Sequence, residues 1–450
     1  MIFENKEGFQ REYSREMRQY SQRIENGRKA VAMNGNHYGV KHDSPAITGK
    51  VPRQYPWLSG DRHCDVCVTG GGMTGAMCVL FAAEMGLSAV LITSDGLGLG
   101  DTGHMPGCAE YNAGRTLTGL DRTMSTDDAL ALYSIGFEAL DDLQNLCAGL
   151  DGAYRKSGLA SGFARRDSLL YTADPTLSEL MEREFLAVRK AFPDTTLITR
   201  RTAESAFAFD MCAGILTRDG SAVFDPYAFT HLCAMKAQEL GAEIFEQTRA
   251  LDIQTPKSKG GSVMITTSTH RTVYADRLIF AAGSEGFRAM FRGARKYSAC
   301  CSVRKLSEEE SGWSGRCSLR TFGRRSVSCC ISPGGMVWAD SVHREGLSAV
   351  AGKVSEPAEF SRLKNQVAAL LPRAEINRPE YKYSHAFAAP RDGLPVIGAH
   401  EEFKNCFFAL PVSVSGACAP VCSVVAARSA AAYLEGNNAP VFRHFDPMRL

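Results

Sequence analysis

An α/β fold in two domains is what these 450 residues predict, on three observations. The first is the run from Asp65 to Asp95. It reads as a short apolar strand, glycines at 70, 72 and 75, a helix of small and apolar residues, and a second apolar strand at 89–93. The second is length, which exceeds one typical core and makes two domains the natural expectation. The third is the stretch 295–355, where short β-like runs alternate with turns in the texture of an antiparallel sheet.

In the first run each glycine has a physical task. Gly70 permits the tight turn, Gly72 lets the backbone touch a pyrophosphate, and Gly75 lets the helix pack close to the strand. The helix N-terminus then aims free N–H groups at phosphates. A glycine turn of purely structural purpose is the alternative; the flanking strands favour a Rossmann-like dinucleotide site. Such units commonly end their second strand in an acidic residue that takes the ribose hydroxyls. Here that position is Thr93, followed by Ser94 and Asp95.

The totals exclude several classes. Net charge of +2 gives no bulk attraction to nucleic acid or anionic membrane. No apolar run reaches a membrane span, the richest, Val421 to Leu434, being interrupted by Arg428 and two serines. Residues 1–29 are heavily charged and lack a signal-peptide core, so a cytoplasmic location with reduced thiols is expected for the fifteen cysteines. Cys64 and Cys67, and the pairs Cys300-Cys301 and Cys329-Cys330, fall in β-like segments without zinc spacing, so no metal is expected.

Taken in order, Phe9, Tyr13, Met17, Tyr20 and Ile24 form an amphipathic helical stripe. It docks on its own domain or mediates a homo- or hetero-oligomer. Residues 30–60 read as an extended arm. Beyond the βαβ unit, Gly96 to Gly103 is a second glycine-rich loop leading through His104. Helices are predicted at 126–149, at 175–192 with Asp174 as cap, from Asp225-Pro226 to Leu240, at 357–371 and at 417–434. Strands are predicted at 163–171, 213–217, 242–247, 263–267, 276–283, 381–387 and 407–410.

Several of these segments together carry a resemblance: Gly70 to Gly75, Gly98 to Gly103, Phe163 to Tyr171, Gly220 to Tyr227, Ile279 to Gly283, Leu319-Arg320-Thr321, Asp392 to Gly398 and Cys406 to Leu410. In this order and spacing the chain resembles the D-amino-acid oxidase superfamily of FAD-dependent oxidoreductases from about Tyr55 onward. The resemblance implies a Rossmann-like FAD-binding domain of the GR2 type, in segments 61–150, 220–290 and 385–450. A second α+β substrate domain with a mixed or antiparallel sheet would take 151–219 and 291–384. It implies FAD as cofactor and a small amine or amino acid as substrate, its C–N bond oxidised by hydride transfer to the flavin. FAD would lie against Gly70, Gly72, Met73, Thr74 and Gly75, with Thr93 and Ser94 at the ribose, and Ala250 at the adenine. Thr102, Gly283, Ser415 and Gly416 complete the expected cofactor set.

For substrate contact, Arg320 offers a fixed cation suited to a carboxylate, or else a structural ion-pair partner. Tyr383, His385 and Arg391 are the other candidates, His385 being an acid/base group or a satisfied packing residue. Departures from the family pattern cluster at the cofactor. The turn before the last helix reads Pro411-Val-Ser-Val-Ser-Gly416, losing a donor at Pro411 and bringing in branched side chains. Asp101 adds negative charge near a diphosphate, unfavourable unless solvated or paired. These departures keep open a non-catalytic subunit or scaffold with a degenerate flavin site. An NAD-dependent dehydrogenase fits the βαβ unit but not the segments 276–283 and 391–410.

Overall fold

The computed structural model describes residues 53–450 except 113, 257–259, 292–293, 307–316, 324–325, 333–334, 345–355, 374–378, 380, 413–414 and 438–440. The stripe in residues 1–29, most of the arm, and Ser413 and Val414 therefore lie outside the described residues. The chain opens with β1 (Arg62–Thr69), α1 (Met73–Glu84) and β2 (Ala89–Ile92). Met73 through Ala83 are all buried, as suits a helix of small and apolar residues without a polar face. Gly75 explains the tightness of the crossover: a Cβ there would stand 1.8 Å from the Gly70 carbonyl oxygen. Gly70 has φ +115° and leaves no room for a Cβ beside the Ala281 carbonyl.

The chain then alternates between two sheets. Short β3 (Cys108–Glu110) and α2 (Leu117–Leu120) lead to α3 (Thr126–Ala153), whose N-cap Ser125 accepts from the Asp128 N–H. Next come β4 (Ala164–Thr172), α4 (Ser178–Ala191), β5 (Thr195–Thr199), α5 (Arg200–Ala206) and β6 (Ala213–Val223). In α6 (Pro226–Glu239) the Asp225 carboxylate caps the Tyr227 and Ala228 N–H groups. The connection β7 (Glu243–Phe245), β8 (Ala250–Gln254), β9 (Val263–Thr267), β10 (Thr272–Phe280) and α7 (Gly283–Met290) follows. Then come β11 (Arg295–Lys305), β12 (Ser318–Thr321), β13 (Val327–Ile331), β14 (Met336–Arg344), α8 (Glu356–Leu370) and β15 (Tyr381–Ala389). Finally β16 (Val396–His400), β17 (Phe403–Leu410) and α9 (Ala419–Leu434) return to the first sheet.

That sheet runs β16-β17-β10-β1-β2-β7, with β9 also on β10 and β8 on β9. Its centre is parallel, β1 lying between β10 and β2, and buried on both faces, which accounts for the continuous apolar runs Val66–Val68 and Leu278–Phe280. The second sheet runs β15-β11-β14-β13-β12-β4-β6-β3 with β5 on β6, antiparallel except at β12–β4. The α/β class and the mixed second sheet are those the sequence predicts. The chain changes sheet after Val223 and after Ala389, not at 220 and 385, because β6 and β15 run through those boundaries. Even β3, inside the predicted first segment, pairs with β6 of the second sheet.

Gly416–Leu434 forms a stretch of 19 residues with mean hydropathy 1.4, longer than the apolar run read from the sequence. It is nevertheless 72% buried inside the protein, a core helix packed against α1, α3 and β17. All fifteen cysteines are free thiols, and no metal-binding cluster exists among the described residues.

Candidate active site

A single cleft of about 230 Å³ starts at the N-terminus of α1 and ends on the face of the second sheet. Its first wall is Gly70–Thr74. Gly72 is the N-cap of α1 and supplies no side-chain acceptor, and the first turn holds no acidic residue. The helix end is thus left for an anion. One donor is used internally, since the Met73 N–H donates to Thr102 Oγ1 at 2.9 Å. Thr102 therefore ties the second glycine loop to the helix end and lines the cleft as well.

Thr93 and Ser94 line the cleft at the end of β2, and the Ser94 hydroxyl donates to Asp95 Oδ2 at 3.1 Å. Thr248, Arg249 and Ala250 line it where β8 begins, and the Arg249 guanidinium is paired with Glu285 at 3.1 Å. Ala281–Gly286 close the same end. At the far end the lining is Met105, Pro106, Ala299, Cys301, Asp340, Val342, His385, Phe387, Pro411, Val412, Ser415 and Gly416. Every cofactor-site residue named from the sequence except Gly75, which sits inside the crossover, lines this one cleft.

Asp101 meets the condition its charge imposes. Its carboxylate accepts from the Ser284 N–H at 2.7 Å and the Ser284 hydroxyl at 2.9 Å, at the start of α7, and lies 2.9 Å from His385 Nε2. Burial alone would raise this carboxyl, but His385 and the two Ser284 donors outweigh it and hold it below its ordinary value. The close fit needs Gly283, where φ is +59° and a Cβ would stand 2.6 Å from Asp101 Oδ2. Stacking extends the cluster: His104 lies on His385 with ring centroids 4.3 Å apart, and its carbonyl accepts from the Tyr383 hydroxyl at 3.3 Å.

The expected substrate contacts separate. His385 lines the cleft, whereas Tyr383 stands behind it with its hydroxyl held by His104. Arg391 is exposed and outside the lining. Arg320 is also withdrawn: it is 7% exposed and faces Glu110 at 3.7 Å in an ion pair between β12 and β3. Attraction to this fully buried carboxylate holds the guanidinium away from the cleft. The sequence reading passed over Asp340, on β14. It is 3% exposed, its Oδ1 has no hydrogen-bond partner, and it lines the far end of the cleft. Burial and then the negative charge of Glu110 push its carboxyl up to about 7. Alternation along β14 could have flagged it, since an aspartate between Ala339 and Ser341 in an apolar strand is costly to bury.

The cleft fits a long dinucleotide. An uncapped helix end stands at one extremity, polar backbone at the ends of β2 and β8 lies beside it, and an apolar slot lies beyond. Pro411 removes a backbone donor at the slot and Val412 brings a branched side chain there, as the sequence indicates, yet they line it without closing it.

Comparison with known proteins agrees. The model of the DAO family of FAD-dependent oxidoreductases matches residues 65–424. A probable oxidoreductase of Haemophilus influenzae is 22% identical over 227 residues, 50% of each chain. The gamma-glutamylputrescine oxidoreductase of Escherichia coli is 32% identical over 124 residues, 27% of this chain and 29% of that one. The chain thus spans half the length or less of the curated relatives it matches. Glycine oxidase from Geobacillus kaustophilus superposes with a TM-score of 0.69 at 17% identity, covering 86% of this chain and 99% of that one. The chain belongs to the DAO family of FAD-dependent oxidoreductases, and FAD is its cofactor.

Proposed function

We propose that this protein oxidises the C–N bond of a small amine or amino acid. The observation that carries the reading is the continuity of one cleft from the α1 N-terminus to the sheet face bearing Ala299, Cys301, Asp340, Val342, His385 and Phe387. When bound, FAD supplies the two-electron acceptor for a hydride leaving the carbon next to nitrogen. The residues of the chain do the rest. Gly70–Thr74 would hold the pyrophosphate on backbone N–H groups, with Thr93 and Ser94 toward the ribose and Ala250 toward the adenine. The Asp101–His385–His104 cluster forms a stiff wall between the two ends, from Ser284 to the sheet face, and Val342, Phe387, Pro411 and Val412 exclude water from the slot. The nitrogen releases a proton to solvent as the carbon loses hydride, and water then hydrolyses the imine to a carbonyl compound and ammonia, or an amine where the substrate nitrogen carries a second substituent.

The test is a visible spectrum of the purified protein, followed by anaerobic addition of a panel of primary amines, secondary amines and amino acids. Bands of oxidised flavin that bleach with members of the panel are expected. A protein that carries flavin yet is bleached by none of them would overturn the reading. One that stays colourless after incubation with FAD would favour the non-catalytic subunit.

A further inference from the structure

From the arrangement of charge in the cleft we infer that Asp340 anchors the ammonium group of the substrate, and that the site takes organic ammonium ions in preference to α-amino acids. The inference rests on the proposed C–N oxidation and names the substrate class of that same site.

Three observations carry it. First, the carboxylate is built into the cleft wall. Asp340 sits opposite Cys301 of β11 and Ser328 of β13, in the middle of the second sheet, on the face that presents Ala299, Cys301, Val342, His385 and Phe387. Its Oδ2 stands 3.6 Å from where a Cβ on Gly416 would be, so the carboxyl points across the slot toward the turn before α9. Second, no described residue answers it. Oδ1 has no hydrogen-bond partner although the residue is 97% buried, and a buried acceptor without a donor is costly to keep. Such a group in a cleft wall fits a ligand that brings its own donors.

Third, the signs of the surrounding charges select the ligand. The groups facing Asp340 from the packed elements are Glu110, itself paired with Arg320, and the buried thiols Cys301, Cys329 and Cys330. Farther along the lining lie Asp101, His104 and His385, with Asp101 committed to Ser284 and His385. Arg249 is the only lysine or arginine among the described lining residues, and it stands at the opposite end paired with Glu285. A substrate carboxylate would therefore enter a slot with a buried carboxylate and no opposing Lys or Arg among the described residues. An ammonium would supply both the missing positive charge and the missing donors.

The test uses the full-length protein with butylamine, its α-carboxylated counterpart norvaline, and neutral 1-pentanol as probes, titrated by calorimetry at pH 8. Wild type, Asp340→Asn and Asp340→Glu are compared, and their melting curves verify folding. The expected result is butylamine binding at least tenfold tighter than norvaline or pentanol. Asp340→Asn should lose that preference, and Asp340→Glu should recover part of it. Equal butylamine binding by wild type and Asp340→Asn, or tighter binding of norvaline, would overturn the anchor. The visible spectrum is recorded in parallel. A colourless protein whose butylamine binding depends on Asp340 sinks the oxidation reading and keeps the anchor. A flavin-bleaching protein indifferent to Asp340 does the reverse.

Discussion

Replacing Asp340 by asparagine should make the protein more stable, and increasingly so as pH rises. The carboxyl is buried without a donor, beside Glu110, and its pKa rises from 3.8 to about 7 on folding. Roughly three units at 1.36 kcal/mol each give about 4 kcal/mol of folding free energy lost once the group ionises in both states. The sign follows from proton counting. Between the unfolded and folded values the native state holds the proton that the unfolded chain has released. Wild-type stability therefore falls with rising pH across that window, is unpenalised below about 4, and carries the full cost above about 7. Asparagine has a fixed burial cost but no titration, so the pH dependence of the difference isolates the ionisation. Urea unfolding of wild type and Asp340→Asn at pH 5 and pH 8.5, without amine, should show the variant gaining about 3 kcal/mol relative to wild type between the two. Parallel pH dependences would refute the reasoning, because they would mean that the carboxyl is solvated or already paired.

Other substitutions probe the remaining parts. Asp101→Ala removes the acceptor for Ser284 and the partner of His385, and should destabilise by about 2–4 kcal/mol in urea unfolding. Because the Asp101 carboxyl is held below its ordinary value, that contribution is present above the unfolded value. It disappears only as pH falls through the depressed folded one. Arg320→Met should cost about 3–5 kcal/mol by leaving Glu110 buried without its cation. Adding Glu110→Gln should recover part of this, and the response to butylamine should persist; an intact fold with that response abolished would return Arg320 to the site. Gly75→Ala, whose Cβ would stand 1.8 Å from the Gly70 carbonyl oxygen, should lose most of its flavin per protein, measured as visible absorbance against protein absorbance.

The first sheet was legible because its centre follows local rules. The glycines at 70, 72 and 75, the apolar strands on either side, and Asp225 before Pro226 each specify their own neighbourhood. The Asp174 cap likewise holds, though a short 3-10 turn precedes α4. Elements without such signals were missed: β5, α5, β8 and α7 are short. Strand β6 was seen only as far as Thr217, because Arg218-Asp219-Gly220 reads as a turn. In the structure Asp219 has φ 53° and the strand continues through it to Val223. The lining at the α1 end of the cleft was legible from the glycine spacing and the family resemblance. The sheet face was less so, since Arg320 reads equally as a substrate contact or an ion-pair partner until Glu110, 210 positions earlier, is seen against it, and Asp340 stands out only once its burial without a donor is seen.

C–N oxidation is tested most directly by anaerobic mixing of the flavin-loaded protein with butylamine, followed through the visible bands of oxidised flavin. Bleaching by butylamine that outpaces bleaching by norvaline, with release of ammonia and the corresponding aldehyde, is the predicted result. Oxidised bands that survive every amine and amino acid offered would contradict it.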